Sequence, residues 1–500
     1  MSQNAQLYQD YVKKMRLIAD LKNASAVLQW DQETNLPPKG ASFRGQQISS
    51  LSEISHQFFS NDDLGKLLDQ LLGTADLSVS DRRNVEKTRE DYLKNKKYSS
   101  AFVRELSEQV NKTFHAWIDA RKKNDFSIYG KELDALLVLK RKEADLLGYD
   151  AHPYNALLDE FEKGATISML DKVFADLLPS LEDILGRIKV RPQVDDSFLK
   201  QHFSKQKQWE WSMDLIGKLN FDFEAGRQDL SEHPFSVSFN PLDVRITTRI
   251  DENDFGNMTW SCIHETGHAL YEQGLPENEY GLPLGEACSY SIHESQSRLW
   301  ENNVGRSRAF WKQYFPLLQK HFPREFNNTD TDGFYKGINK VEPSFIRTEA
   351  DEITYHFHVY IRYELEKRLI EGSLKTTEIP SFWNELYKKH LGVTVPDDKK
   401  GCLQDVHWSH GSFGYFPTYS LGSFYAAQFY DAASKAHPNL EEEIGKGNTS
   451  LLLQWLRKEV HQKGRFHNSE ELCQEITGSG LDASHFINYL LHKYVSIYNL

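Results

Sequence analysis

Three residues in the middle of the chain, His264, Glu265 and His268, form a His-Glu-x-x-His motif. In an α-helix, residues four apart lie one turn apart on the same face, so the two imidazoles can bind one metal ion together. Glu265 is rotated from them by roughly 100° around the helix axis and lies beside that ion, where a general base for a bound water is needed. Gly267 lowers the helix propensity by about 1 kcal/mol relative to Ala, and its missing side chain leaves room for a close neighbour. The motif therefore predicts a hydrolytic metal centre.

The third metal ligand decides whether this interpretation holds, because two buried histidines with an unrelated glutamate are the alternative. A zinc ion with one open position takes three protein ligands. The extended metzincin motif would place Gly at position 271 and His at 274, whereas the chain has Tyr271 and Gly274. The metzincin class is therefore excluded, and the alternative is a carboxylate from a second helix.

Glu294, in the segment 289–301, is the carboxylate that can complete the set. Residues 273–276 contain the Gly and Pro that end the first helix, and 281–285 form the loop before the second. We therefore expect a hairpin of two helices that brings Glu294 back over the histidines.

Two other glutamates compete with Glu294 for this role, namely Glu286 and Glu272. Glu272 shares the helix with the histidines, and a ligand one turn further along can hardly converge on the same ion. Arg298 stands four residues after Glu294, where thermolysin-type enzymes have an Asp that orients a ligand histidine. The orienting partner must therefore come from elsewhere in the chain.

The composition is that of an ordinary globular protein: 500 residues, 39% of them hydrophobic and 26% charged. The net charge of −13 argues against a nucleic acid or an anionic membrane as partner. The four cysteines form no C-x-x-C pair, no signal peptide is evident, and no apolar stretch is long enough to cross a membrane. We predict a cytoplasmic protein with reduced thiols.

The periodicity of apolar residues predicts a mainly α fold. Helices are expected over about 5–29, 42–60, 63–72, 80–97, 102–122 and 353–369. Residues 233–250 alternate apolar and polar residues around a turn and predict a β-hairpin next to the metal helix, where an edge strand could bind an extended peptide. Residues 401–422, rich in Gly and aromatic residues, are expected to form an ordered loop. We predict one catalytic domain over 1–500, with a metal-binding core at about 233–422 and a deep active-site cleft between helical walls.

The motifs in this order resemble the carboxypeptidase Taq family of metallocarboxypeptidases over nearly the whole chain. The stretches that carry the resemblance, besides the two metal-binding segments, are His233-Pro234-Phe235, Asp243-Val244-Arg245-Ile246-Thr247, Ile346 to Glu352, and Gly401 to Trp408 followed by Gly411 to Tyr419. The N-terminal stretch Leu28-Gln29-Trp30-Asp31 and the C-terminal end match as well.

The resemblance implies a large helical, gluzincin-type enzyme that removes single C-terminal residues from peptides with broad specificity and with Pro disfavoured. It also implies a homodimer with one divalent metal per chain, zinc in the first place and cobalt as the other working metal. Two non-carboxypeptidase alternatives stay open: an endo-acting oligopeptidase on the same scaffold, and a non-catalytic peptide-binding protein.

Several further residues are candidates for substrate binding. A guanidinium is the best-shaped group for a carboxylate, so Arg347 either binds the C-terminus of the substrate or pairs with one of its neighbours Glu349, Asp351 and Glu352. With the resemblance in view, Asp243 and Arg245 are assigned to a wall of the cleft, and the family implies that Arg245 limits substrate length. The remaining candidates are His233, His407, Tyr415 and Tyr419, and either His407 or Tyr419 would stabilise the oxyanion.

Overall fold

The computed structural model describes residues 3–500 and divides them into two compact units, each built from three separate stretches of the chain. The first unit comprises the residues up to Lys96 together with Asp195–Ile338 and Phe429–Gly480. The second comprises Lys97–Val194, Asn339–Gln428 and Leu481–Leu500. The prediction that the whole chain acts as one catalytic domain stays a prediction.

Helices account for most of both units. In chain order they are α1 (Gln3–Thr34), α2 (Ala41–Phe59), α3 (Asp62–Leu72), α4 (Val79–Lys96), α5 (Ser100–Lys123), α6 (Phe126–Leu147), α7 (Pro153–Leu158), α8 (Ile167–Lys189), α9 (Lys205–Lys218), α10 (Phe255–Glu272), α11 (Tyr290–Arg298), α12 (Arg308–His321), α13 (Thr331–Gly337), α14 (Tyr355–Glu371), α15 (Ile379–His390), α16 (Phe416–Ala436), α17 (Leu440–Gly445), α18 (Ser450–Glu459), α19 (Ser469–Thr477) and α20 (Ser484–Tyr498).

Helix α3 illustrates how local sequence determines these elements. The side chain of Asn61 accepts a hydrogen bond from the backbone of Asp63 and so caps the start of the helix. Leucines at positions 64, 67, 68 and 71 fall on one face and are buried against Tyr11 and Ile18 of α1. The predicted helix therefore forms within a residue of its expected bounds.

A small sheet in the first unit has the strand order β1-β3-β2, with β1 at Gly226–Leu230, β2 at Ser236–Asn240 and β3 at Asp243–Thr248. Strands β2 and β3 are antiparallel and form the predicted hairpin. Strand β1 pairs with β3 in parallel and was not predicted, because a single short strand has a weak signal of its own. Helix α10 packs against β2 and β3, so the β element lies beside the metal helix as expected.

The mainly α fold is confirmed, with one correction at the expected loop 401–422. Helix α16 begins at Phe416, so Tyr419 stands in its first turn and Tyr415 immediately precedes it. Phe416 and Tyr419 therefore belong to the start of a helix, whereas Trp408, Phe413 and Tyr415 precede it. Among the described residues, no helix is both long and apolar enough to span a bilayer.

Candidate metal centre

Helix α10 presents His264 and His268 on one face, with their ring centroids 4.9 Å apart. The helix begins after Asp254, whose side chain accepts a hydrogen bond from the backbone of Gly256. It ends at Glu272, just before the Gly that was predicted to stop it. The helical spacing of the motif is therefore as the sequence predicted.

Gly267 allows the second helix to cross directly over the first. A Cβ atom at Gly267 would lie 2.6 Å from Cα of Ser297 and 2.7 Å from the carbonyl oxygen of Gln296, both in α11. Backbone atoms at such a distance leave no room for any side chain. The two helices therefore cross at Gly267, and the contact on α11 lies about one turn after Glu294. This crossing places the carboxylate of Glu294 over the two imidazoles.

Three potential ligand atoms converge where the helices cross. The Oε2 atom of Glu294 lies 3.6 Å from Nε2 of His264 and 3.4 Å from Nε2 of His268. Within residues 3–500, this is the one group of three or more His, Cys, Asp or Glu residues whose ligand atoms all lie within 4.8 Å of one another. Two imidazole nitrogens and one carboxylate are the donor set of a catalytic zinc site with an open position.

The hydrogen bonds of the imidazoles also fit a metal ion. Nδ1 of His264 lies 2.9 Å from Oε2 of Glu301, and Nδ1 of His268 lies 3.1 Å from the carbonyl oxygen of His293. Both partners are acceptors, so each Nδ1 carries a hydrogen, and in the neutral form of each imidazole Nε2 then has its lone pair free for a ligand. Burial also lowers the pKa of His268 to about 4, which keeps this imidazole neutral.

Glu301 is the orienting residue that sequence reasoning could not name. It lies in a π-helical segment, Leu299–Val304, that continues α11, and the amide of Gly305 donates to the carbonyl oxygen of Trp300 across this wider turn. Burial alone would raise the pKa of Glu301, but the charge of Arg298 and the hydrogen bond with His264 lower it to about 2. The single signal in the sequence was the Trp-Glu-Asn stretch that follows Arg298.

Arg298 stabilises two carboxylates of the centre at once. Its Nε donates to Oε1 of Glu294 at 2.7 Å, and its NH1 group donates to Oε2 of Glu301 at 3.2 Å. Ser297 donates to Oε2 of Glu294 at 2.9 Å. Although burial alone would raise it, the pKa of Glu294 lies well below its usual range because of Arg298 and the histidines. Arg298 therefore compensates the negative charge that two buried carboxylates bring together.

We expect Glu301→Gln to weaken the binding of a divalent metal about 10- to 100-fold, because the amide can still accept from His264 but no longer carries the charge that raises the basicity of that ligand. Competition with a chelator of known affinity measures the change. Glu286→Gln is the matched control, since Glu286 pairs with Arg465 away from the histidines. Equal losses in both variants would contradict the assigned role of Glu301.

Helix α10 also carries two carboxylates, Glu265 and Glu272, and neither belongs to the group formed by His264, His268 and Glu294. Glu265 is 8% exposed, and its burial raises the pKa of its carboxyl group to about 7. Glu272 accepts a hydrogen bond from Nε2 of His293 at 2.8 Å. Of the rival third ligands, neither Glu272 nor Glu286 is brought to the two imidazoles.

The hairpin residues Asp243 and Arg245 form a fixed pair on β3. The Nε and NH2 groups of Arg245 each donate to one carboxylate oxygen of Asp243 at 2.9 Å. The guanidinium also lies over two rings, 4.4 Å from the centroid of Trp30 and 4.9 Å from that of Phe239. Arg245 is therefore held in one position on the sheet. His233 lies in the exposed turn before β2.

Arg347 lies in the second unit and pairs with Asp405 rather than with its sequence neighbours. Its Nε and NH2 groups lie 3.1 and 3.0 Å from Oδ1 of Asp405, and its NH1 group donates to the hydroxyl of Tyr355 at 3.1 Å. Arg362 donates to the other oxygen of Asp405. The alternative prediction, that Arg347 pairs with a neighbouring acidic residue of the segment 349–352, is therefore wrong. Its partner Asp405 is 58 residues away in the chain.

His407 and Tyr419 are brought together beside Arg347. Nε2 of His407 lies 3.0 Å from the hydroxyl of Tyr419, whose ring is 4.8 Å from the guanidinium of Arg347. Burial, reinforced by the charge of Arg347, lowers the pKa of His407 to about 3, so the imidazole is neutral. Tyr415 packs with its ring centroid 5.2 Å from that of Tyr419. Four predicted residues therefore form one cluster in the second unit.

Comparisons with known proteins identify the family to which this chain belongs. A sequence profile of the carboxypeptidase Taq (M32) metallopeptidases matches residues 10–494. Carboxypeptidase 1 of Bacillus subtilis is 37% identical over 98% of both chains, and thermostable carboxypeptidase 1 of Thermus thermophilus is 37% identical over 98% of this chain and 99% of its own. The crystal structure of an M32 carboxypeptidase from Deinococcus radiodurans R1 superposes with a TM-score of 0.97, at 37% identity over 99% of this chain and all of the other.

The chain is therefore a metallopeptidase. It belongs to the carboxypeptidase Taq (M32) family, as the motifs indicated. The prediction that it is an enzyme of the metallocarboxypeptidase class is confirmed, and with it the need for a divalent metal ion.

Proposed function

We propose that this enzyme releases single residues from the C-terminus of peptides, with His264, His268 and Glu294 as the ligands of one zinc or cobalt ion. The observation that carries the proposal is the convergence of two imidazole nitrogens and one carboxylate oxygen where α10 and α11 cross. A divalent ion in such a set lowers the pKa of a bound water and polarises a peptide carbonyl.

Glu265 is the proposed general base. It takes a proton from the attacking water and gives it to the leaving amine, which lets the amine depart in its neutral form. Its burial supports this role, because a carboxyl group with a raised pKa can both accept and return a proton near neutral pH. Tyr419 or His407 is the proposed donor to the oxyanion.

Strand β2 is the proposed support for the substrate backbone. It lies at the edge of the sheet and packs against the metal helix. An edge strand offers unpaired backbone groups to an extended peptide. In this arrangement Asp243 and Arg245, with His233 in the preceding turn, line the path of the substrate, and the fixed side chain of Arg245 limits how long a peptide can be.

Arg347 is the proposed receptor for the terminal carboxylate of the substrate. Asp405 lies between two guanidinium groups, those of Arg347 and Arg362, so this buried trio keeps one net positive charge. His407 adds no charge, because its pKa is lowered to about 3. An excess positive charge with little access to water attracts a carboxylate strongly.

A peptide supplied as free acid and as C-terminal amide tests the proposal, with products identified by mass spectrometry. We expect the metal-loaded enzyme to shorten the acid one residue at a time, over a broad range of residues but slowly at Pro, and to leave the amide intact. Arg347→Gln should lower kcat/KM for the acid about 100-fold, since a lost buried charge contact is worth about 3 kcal/mol. Arg368→Gln, at an exposed site on α14, is the matched control.

Two other outcomes would overturn the proposal. Internal cleavage of both peptide forms would identify an endo-acting oligopeptidase and leave Arg347 with a structural role. Binding of metal and peptide without cleavage would identify a peptide-binding protein. The homodimer and the cytoplasmic location stay predictions, which light scattering and cell fractionation can check.

A further inference from the structure

We propose that His293 and Glu272 are positioning residues that hold the imidazole of His268 through a chain of hydrogen bonds. This inference rests on the proposed function, in which His268 is a metal ligand. It differs from the arrangement at His264, whose Nδ1 meets the carboxylate of Glu301 directly at 2.9 Å. At His268 the carboxylate of Glu272 acts from further away, through a second imidazole.

The chain has two short links. Nδ1 of His293 lies 2.6 Å from Nδ1 of His268, and Nε2 of His293 lies 2.8 Å from Oε1 of Glu272. The two imidazole rings lie 4.5 Å apart between centroids and are inclined by 31°. The Nε2–Oε1 distance lies in the normal range of a hydrogen bond, and the Nδ1–Nδ1 distance lies just below that range.

The direction of the hydrogen bonds follows from what each atom can do. A carboxylate only accepts, so Nε2 of His293 carries a hydrogen and donates it to Glu272. Nδ1 of His268 also faces the carbonyl oxygen of His293 at 3.1 Å, which can only accept, so Nδ1 of His268 carries a hydrogen and Nδ1 of His293 accepts from it. The Nε2 atom of His268 is left with a lone pair, and this is the atom that lies 3.4 Å from Glu294.

The backbone of His293 also favours the tautomer of His268 that has its hydrogen on Nδ1. Its carbonyl oxygen lies 3.1 Å from Nδ1 of His268, so two acceptors of one residue share that hydrogen. A hydrogen on Nε2 of His268 instead would leave Nδ1 facing these acceptors without anything to donate, in a buried site. The tautomer that can bind a metal is therefore selected by His293.

The two helices supply the parts of this chain at positions that only their crossing brings together. Glu272 follows His268 by one turn on α10, and His293 directly precedes Glu294 on α11. The ring of Tyr271 packs 5.4 Å from the ring of His293 and keeps it in place. Glu272, which the sequence offered as a rival ligand, thus contributes to the centre without contacting the ion.

Two variants test this inference. His293→Phe keeps a ring in the same space but has no nitrogen, and Glu272→Gln keeps the shape but loses the charge. We expect His293→Phe to weaken the binding of Zn²⁺, measured by chelator competition, about 10- to 100-fold, and Glu272→Gln to weaken it less. The double variant should bind no more weakly than His293→Phe alone, because both changes interrupt one chain. Glu277→Gln, in the loop that follows α10, is the matched control.

The tautomer of His268 provides a readout that does not depend on metal or activity. Nitrogen NMR of metal-free protein labelled at histidine, with the His268 signals assigned by their loss in His268→Gln, should show the hydrogen on Nδ1. We expect His293→Phe to give a mixture of tautomers. A structural role of His293 in packing alone would not change this spectrum.

The outcomes separate this inference from the proposed function. Wild-type His268 with its hydrogen on Nε2, or unchanged Zn²⁺ affinity in both variants, would overturn the inference while leaving the peptidase activity untouched. An Nδ1 hydrogen that is lost in His293→Phe supports the inference even where the peptide assay fails. Should His293→Phe fold poorly, as thermal unfolding of the metal-free protein would reveal, Glu272→Gln gives the same test with less disturbance.

Discussion

Glu265→Gln is expected to lower kcat about 10²- to 10⁴-fold, the range typical for the loss of a general acid–base. The amide has the size of the carboxylate but can accept no proton from water. Glu265 is not among the three residues whose ligand atoms converge, so the affinity for the metal should stay close to that of the wild type. Steady-state hydrolysis of the acid peptide, with metal content measured on the same sample, checks both parts.

Burial of Glu265 also predicts the effect on stability. Since the pKa of this carboxyl group is raised to about 7 in the folded protein, its stabilising contribution is complete at pH below 4.5 and is lost as the pH rises through 7. At pH 8 the metal-free Glu265→Gln variant should therefore unfold at a temperature no lower than that of the metal-free wild type. Glu277→Gln serves as the control for both measurements. A kcat within tenfold of the wild type would mean that another group is the base.

Gly267→Ala is expected to destabilise the protein by about 3 kcal/mol, the upper part of the range for overpacked cores. The added Cβ would meet backbone atoms of Ser297 and Gln296 at 2.6 and 2.7 Å, and backbone cannot move aside as a flexible side chain can. Helix propensity alone predicts the opposite, a gain of about 1 kcal/mol. Because α11 must shift, Glu294 should also leave the histidines, and metal affinity should fall. Urea unfolding and chelator competition measure the two effects.

Gly45→Ala is the matched control for this substitution. Gly45 lies within α2, and nothing stands within 4 Å of the position that its Cβ would take. This variant should be as stable as the wild type or more stable by up to about 1 kcal/mol, with unchanged metal affinity. If Gly267→Ala behaved like Gly45→Ala, the close crossing of α10 and α11 would be wrong.

The features that could be predicted are those that depend on short stretches of chain. The face shared by His264 and His268 follows from helical spacing, and the hairpin β2–β3 follows from alternation around a turn. The free space that Gly267 was predicted to provide is filled by α11. The order of the motifs along the chain also indicated the family. These predictions held because helix and strand periodicity is a property of the backbone itself.

Pairings across long stretches of chain could not be predicted. Glu301 meets His264 over 37 residues, and Arg347 meets Asp405 over 58. The parallel partner β1 and the chain from His268 through His293 to Glu272 were likewise missed. In each of these pairings, residues of ordinary types lie far apart in the chain, at a separation that the periodicity of a helix or a strand does not predict.

The sequence by itself determined the family of this protein and the parts of its candidate site: a helix with two imidazoles and a carboxylate, and a carboxylate on a following helix. Only the tertiary structure decided which carboxylates reach the imidazoles. Glu294 lies over both rings, Glu301 meets Nδ1 of His264, and Glu272 meets Nε2 of His293. The reason is that the angle and depth at which α11 crosses α10 depend on packing at Gly267, and the π-helical turn after α11 then shifts the register at which Glu301 meets His264.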